Sequence, residues 1–538
     1  MTERTRGSGL ARRITSTSLT DFTLTTAFVA ALIASAVVLF TTIAQPLLEA
    51  HSFRQTQTAI TSYWFIHDGF TPAYQTPISG YPWKIPLEFP FFQALVAWIT
   101  ELTHLPLDEV GRGLSYVFFV ATLVPVALLC RSLALGHRVF LIFGTVYLLS
   151  PQYLFWGRTF MMESTATFLS VAAIAAVVPF FFSRHVTPYR ALAVVVLASL
   201  AVAQKITTGL PVVMVLVTSL AIACLRAWMR GDRNVARVPA YGIALLAIPV
   251  LLGLGWTYYT DLIKEQSDLA KLWTSTGLRS WNIGTLHQRV SSELFRGVIW
   301  TRSLKVNAGS YVGLAVLGFF YVKETRRSQV IIAAVTVALF LLPFLLFTNL
   351  HIAHNYYQTS TTIYLIFLLA LALTYLANHS LRRVFLLAFA LVLVSNLAEF
   401  KQVYWPIARA SFTPDKNTTL AIAKLLREDT PAEARVLLYG YSMSSEVPYY
   451  AERKSATVPD EYPLLEEPLK NPERFFGKDK VGALVVCPAA SGVDPSKDAI
   501  AAFVKAHGPF RETAVDNCRV FVATASRATS ASVQRTGG

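Results

Sequence analysis

The chain has 538 residues, of which 54% are hydrophobic and only 15% charged, where a soluble domain carries about 25% charged residues. This excludes a soluble globule and puts most of the chain in lipid. The formal net charge of +15 would also suit a nucleic-acid binder, but basic residues gathered in loops between apolar runs are what a multi-pass membrane protein supplies, so no nucleic-acid partner is expected.

Residues 1–21 hold Arg4, Arg6, Arg12 and Arg13 among Ser and Thr and read as a disordered, cytoplasmic basic arm. The apolar run 22–44 that follows is too long for a signal-peptide core and has no clear cleavage site, so it is expected to be a retained first span. Counting runs near bilayer length gives about eleven spans, near 22–44, 113–133, 138–154, 164–183, 190–203, 206–225, 239–257, 308–322, 329–348, 359–377 and 382–398. When these alternate, the arm, Arg131 with Arg138, Arg184 with Arg190, the cluster Arg226, Arg230, Arg233 and Arg237, Lys323 with Arg326 and Arg327, and Arg382 with Arg383 all fall on one side. The positive-inside pattern makes that side cytoplasmic and predicts a multi-pass membrane protein with a cytoplasmic N-terminus and an extracytoplasmic C-terminus.

The opposite side carries a long first loop (45–112), a second long loop (258–307) and everything after 399. Two interfacial helices are predicted in the first loop, over 52–67 and after Pro90, joined by an extended segment containing Pro72, Pro77, Pro82 and Pro86. Strand-like and helical stretches alternate from about 404, predicting an extracytoplasmic α/β domain over 400–526 with a mostly parallel sheet and a disordered tail at 527–538. Residues 22–399 then form the transmembrane domain. Cys487 and Cys518 flank predicted strands and either pair or are buried thiols.

Ionisable residues at span ends are costly, and a set converging on one face points to function. The extracytoplasmic ends present Glu49, His51, Arg54, Lys84, Glu88, Arg158, Glu163, Lys205, His351 and His354, with Tyr356 and Tyr357 beside them. Such a mixture suits group transfer from a lipid-linked phosphate to a hydroxyl: a carboxylate takes the acceptor proton while fixed cations stabilise the departing phosphate.

Five segments resemble the GT-C superfamily of integral-membrane glycosyltransferases, in the group of protein O-mannosyltransferases and lipid A aminoarabinose transferases. They are His51–Ser52–Phe53–Arg54 with the Gln-Thr-Gln-Thr-Ala run behind it, Pro86–Leu87–Glu88–Phe89–Pro90, Arg158 through Glu163, Gln204–Lys205 through Gly209, and His354–Asn355–Tyr356–Tyr357. The resemblance implies a polytopic α-helical GT-C fold, a polyprenyl-phosphate sugar donor, an extracytoplasmic glycan, lipid or protein acceptor, contact with membrane lipid, and an inverting displacement. One departure stands out: His51 occupies the position of the family's early acidic residue. Glu88 is therefore the first candidate base, with Glu49 and His51 behind it. Glu163 matches the second acidic position, where it orients the acceptor or holds a divalent cation, Mg or Mn. Lys205, Arg158 and His354, with Tyr357, would face the donor phosphate, while Arg54, Lys84 and Tyr356 are secondary.

Each residue also has a plain structural role open to it. Glu88 is otherwise a solvated loop acid, Glu163 a helix-capping carboxylate, Lys205 a snorkelling span end, and Arg54 a scaffold partner of Glu49 or Asp68. Tyr449, Tyr450 and Arg453 read as packing residues or as a head-group contact. A polytopic transporter and a non-catalytic envelope-assembly subunit are the alternative classes; a carrier would tend to show repeated halves and midplane sites, and no repeat is visible.

Overall fold

The computed structural model describes residues 4–182, 187–230, 237–378 and 381–524. The predicted tail at 527–538, with Arg184 and Arg233, lies outside them. The chain divides into two compact units, one formed by Met1–Ile43, Arg112–Gly253 and Ser280–Ala408, the other by Ala44–Gly111, Leu254–Arg279 and Arg409–Gly538.

The first unit is a membrane helix bundle. Among the described residues, eight helical segments of the chain are long and apolar enough to cross a bilayer: Leu19–Thr42, Leu107–Ser132, Glu163–Phe180, Ile206–Arg226, Gly242–Lys264, Arg327–Leu346, Asn355–Asn378 and Arg382–Ala408. Shorter apolar helices, His137–Leu148, Pro188–Gln204 and Tyr311–Lys323, fill the remaining predicted runs. At 12, 17 and 13 residues they reach about 18–26 Å, less than the roughly 30 Å hydrocarbon core. From Arg4 the basic arm is not irregular, as expected, but continues the helix Arg4–Thr42.

Thr359–Asn378 is apolar on every face, as a central helix must be, and almost all of it is buried. Leu19–Thr42 is largely exposed and lies at the edge. A buried polar network ties the interior together: Asn307 Nδ2 donates to Gln152 Oε1 at 3.1 Å, Thr362 donates to the same oxygen at 2.9 Å, and Ser150 donates to Asn307 Oδ1 at 2.6 Å. Interhelical amide and hydroxyl bonds of this kind fix which helix faces meet where apolar packing alone is permissive.

The second unit is built on a five-stranded sheet of β1 (Arg435–Tyr439), β2 (Lys454–Thr457), β3 (Val481–Val486), β4 (Phe510–Val515) and β5 (Cys518–Ala523), in the order β2-β1-β3-β5-β4. β1 pairs parallel with β2 and β3, whereas β5 pairs antiparallel with β3 and β4. The sheet is thus half antiparallel rather than mostly parallel, because a tight turn at Asp516–Asn517 returns β4 directly into β5. Side chains along β1 alternate: Leu437 and Tyr439 enter one core, Val436 and Leu438 the other, so both faces are covered. Cys487 and Cys518 form a disulfide across β3 and β5.

The first loop is part of this unit. Pro77–Gly80 runs along the free edge of β2: Ser455 N–H donates to Pro77 O at 2.9 Å, Thr457 N–H to Ile78 O at 2.8 Å, and Gly80 N–H to Ser455 O at 3.0 Å. Trp83, and Leu269 from the 254–279 segment, are buried members of one sheet core. The two helices predicted in the loop are Ser52–Asp68 and Phe91–Thr103. The former does not lie open at an interface, because most of its polar residues, Arg54 to Ser62, are buried. Thr56 bonds Ser445 at 2.8 Å, and Ser52 donates to Glu446.

Candidate functional site

In the bundle, the helix Glu163–Phe182 begins at Glu163, and Lys205 sits in the extended break between Pro188–Gln204 and Ile206–Met229. The two helix ends are registered by three contacts. Gln204 Nε2 lies 3.3 Å from Met162 Sδ, Ser170 donates to Thr208 O at 2.9 Å, and Lys205 Nζ donates to Glu163 Oε1. Both side chains of the ion pair are only 4% exposed.

Aromatic rings line the other side of the lysine. Its Nζ lies 4.2 Å from the Tyr357 ring centroid and 5.1 Å from that of Tyr356. Tyr356 stacks on Tyr357 at 4.7 Å and on His354 at 5.3 Å. The ammonium thus meets one carboxylate oxygen and two π faces, a desolvated cation held in place. Glu163 Oε2 is buried without a hydrogen-bond partner. His351 is buried against Phe344 at 4.5 Å; desolvation, followed by the charge of Lys205, lowers its pKa to about 3, so the ring is neutral. Arg302 steadies this turn by donating to Ile352 O at 2.7 Å and His351 O at 3.2 Å. Arg158, in the turn after Pro151–Trp156, is buried over the Phe155 ring at 5.0 Å.

In the second unit Glu88 is paired with Arg54, which also donates to Gln57. Asp68 is not the partner of Arg54, since it is taken by Lys454 at 2.8 Å. The backbone carrying Glu88 is pinned from two sides. The buried Tyr74 hydroxyl accepts from Leu87 N–H at 2.6 Å and donates to Glu88 O at 2.8 Å, while Trp256 Nε1 donates to Leu87 O at 2.9 Å. Burial drives the Tyr74 ionisation far up, with a further push from Glu88, so its proton stays available for that bond. His51 precedes Ser52–Asp68 with φ 51, ψ 43, in the left-handed region where histidine is one of the tolerated residues, and it offers its carbonyl to Arg54 N–H at 2.9 Å. Its ring meets Phe53 edge-on at 5.9 Å. Glu49 is buried, and half-buried Lys84 forms an isolated bridge with Gln75.

Eight of the twelve site candidates therefore fall into two sets: Glu163, Lys205, His351, His354, Tyr356 and Tyr357 around one ion pair, and Arg54 and Glu88 around another. Tyr449 donates to Asp108, and the Tyr450 hydroxyl accepts from Leu47 N–H at 2.6 Å. Arg453 is buried, donating to Thr430 O at 2.8 Å. Sequence reasoning missed Tyr74, Trp256 and Arg302, whose bonds run to backbone carbonyls and leave no pattern in sequence. Among the described residues no group of three or more His, Cys, Asp and Glu side chains is assembled, and Glu163, the residue matched to a possible divalent cation, faces a lysine.

The fold and these clusters define a polytopic membrane protein with a covered α/β unit. No protein-family model matches the sequence, and no curated protein matches it. Among solved structures, the chain is similar to ArnT from Cupriavidus metallidurans bound to undecaprenyl phosphate, with 13% identity and a TM-score of 0.60 over 93% of this chain and 98% of that one. It is also similar to the archaeal oligosaccharyltransferase AglB from Archaeoglobus fulgidus in complex with an inhibitory peptide and a dolichol-phosphate, with 12% identity and a TM-score of 0.54 over 87% of this chain and 69% of that one. Both are GT-C membrane glycosyltransferases, and this chain shares their fold.

Proposed function

We propose that this protein is a GT-C glycosyltransferase that moves a sugar from a polyprenyl phosphate to a hydroxyl of an extracytoplasmic glycan, lipid or protein, in a bacterial inner membrane with the N-terminus cytoplasmic. The observation that carries the reading is Lys205: a buried ammonium at the ends of three bundle helices, oriented by Glu163 and faced by Tyr356 and Tyr357. A buried ion pair is poor at stabilising a fold, since desolvation offsets most of its attraction. Its placement at span ends fits a binding role. The lipid phosphates bound by the similar structures, undecaprenyl phosphate and a dolichol-phosphate, are ligands of the kind such a cation would take.

In this reading Lys205 and Arg158 receive the donor phosphate, and His354 with Tyr357 borders it. Glu88, held in place by its ion pair with Arg54, accepts the acceptor's hydroxyl proton. The oxygen attacks the anomeric carbon as the carbon–phosphate oxygen bond breaks, inverting that centre. The polyprenyl phosphate leaves with the added negative charge, which the two cations stabilise. Neutral His351 adds no competing positive charge and forms part of the apolar wall.

The test incubates purified protein with radiolabelled polyprenyl-phosphate sugars and extracted envelope acceptors. Label should transfer with wild type and fall at least about 100-fold with Glu88→Gln, the scale of general-base loss. Equal transfer in both would remove Glu88 from the base role. No transfer with any donor would count against the enzyme itself.

A further inference from the structure

A cavity of about 810 Å³ opens inside the bundle, within the roughly 300–1,000 Å³ of sites that take lipid- or drug-sized ligands. Its lining is mostly apolar, including Val126, Val171, Ile332, Leu339 and Phe367, and its charged members are Arg190 and Arg226. Both arginines are exposed. Arg190 lies in the first turn of Pro188–Gln204, and Lys205 directly follows that helix. At 1.5 Å per residue the two are about 22 Å apart along it. Arg226 lies in the last turn of Ile206–Met229, the helix that Lys205 precedes. Pro179, another lining residue, is near the end of the helix that Glu163 begins. The cavity is therefore at the other ends of the three helices that hold the Lys205–Glu163 pair.

We propose that this cavity is a binding site for an anionic phospholipid of the leaflet opposite the Lys205 end, with an acyl chain between the helices and the head-group phosphate at Arg190 and Arg226. Charge complementarity selects the occupant. A long apolar crevice takes a chain of any lipid, but two guanidiniums in its lining favour a phosphate that carries net negative charge. Arg190 adds to this argument, because a cation in a helix's first turn opposes the helix dipole and gains from an anion beside it. The inference does not rest on the glycosyltransferase reading, since the two sites share helices but no residue.

The experiment reconstitutes the full chain in phosphatidylcholine vesicles containing a minority of phosphatidylglycerol, with a photoactivatable acyl chain on one or the other lipid, and maps the crosslinks by peptide mass spectrometry. Labelled phosphatidylglycerol should mark the 171–179 and 331–339 peptides several-fold more than labelled phosphatidylcholine. Arg190→Gln with Arg226→Gln should bring it down to the phosphatidylcholine level, and Arg190→Lys with Arg226→Lys should retain most of it. Thr218→Trp, which fills the cavity, should remove crosslinks from both lipids. Equal marking by the two lipids, or marking unmoved by the glutamine pair, overturns the proposal. Displacement by millimolar inorganic phosphate also overturns it, since the arginines would then hold a free anion. Sugar transfer by the same variants, expected to persist, keeps failure here distinct from failure of the catalytic reading.

Discussion

The two units each hold one ion pair from the same set of candidates, but under different conditions. Lys205 and Glu163 have side chains 4% exposed, between helix ends and tyrosine rings. Arg54 is 9% and Glu88 22% exposed, on a loop that hydrogen bonds to its backbone hold in place. Solvent can take over part of the load when the second pair is broken, whereas at the first there is little water to do so. The bundle pair is thus a fixed, desolvated cation suited to an anionic ligand; the loop pair holds a carboxylate that solvent still reaches, as a proton acceptor requires.

The sharpest way to break this contrast is Lys205→Met. Removing one member of a buried pair costs about 3–5 kcal/mol, and a melting point measured in detergent should fall accordingly. The double variant Lys205→Met with Glu163→Gln should regain most of that loss while sugar transfer stays absent. Wild-type stability in the single variant would mean that the pair is not desolvated, and restored transfer in the double variant would mean that the cation is dispensable. Next in size is the disulfide. Replacing Cys518 by Ala frees a 31-residue separation between β3 and β5 and should cost about 2–4 kcal/mol. The expected readout is faster proteolysis within 481–523 with unchanged binding of polyprenyl phosphate by the bundle. Arg54→Ala comes third, at about 1–2 kcal/mol, because the carboxylate left behind is partly hydrated. Its sugar transfer should fall as Glu88 loses the partner that holds it in place. Unchanged transfer would make Arg54 scaffold only.

The unequal legibility of the two pairs in the sequence has a physical cause. Lys205 and Glu163 interrupt apolar runs, where an ionisable residue is conspicuous because lipid penalises it, and the runs themselves could be read from composition. That Arg54 meets Glu88 rather than Asp68 depends on how a proline-rich loop closes on a sheet built from residues almost 400 positions later, as the Ser455–Pro77 separation of 378 shows. β2 is hard to read in sequence for the same reason: Lys454–Thr457 has no apolar alternation, and its residues are buried because the first loop covers them. β4 carries Arg511 and Glu512 on an edge and lacks the apolar content of β1 and β3. Helix positions in lipid follow from local chemistry, but contacts made by a loop follow from its closure, which local chemistry leaves open.

The smallest predicted effect separates the units by sign. His351 in the bundle has its pKa lowered to about 3 by burial and by Lys205, from an ordinary 6.5. The unfolded chain binds the extra proton between those values, so this contribution is complete above 6.5 and is lost as pH falls, by about 0.7 kcal/mol between pH 7 and pH 6. Glu446, beneath Ser52 in the other unit, has its pKa raised from 4.5 by burial, against the lowering effect of the Ser52 hydrogen bond. Here the unfolded chain gives up the proton first, so stability is complete below 4.5 and is lost as pH rises. Melting curves from pH 4 to 7 should therefore tilt one way in His351→Gln and the opposite way in Glu446→Gln, relative to wild type. The same tilt in both would show that burial of the charged form is not what shifts these two groups.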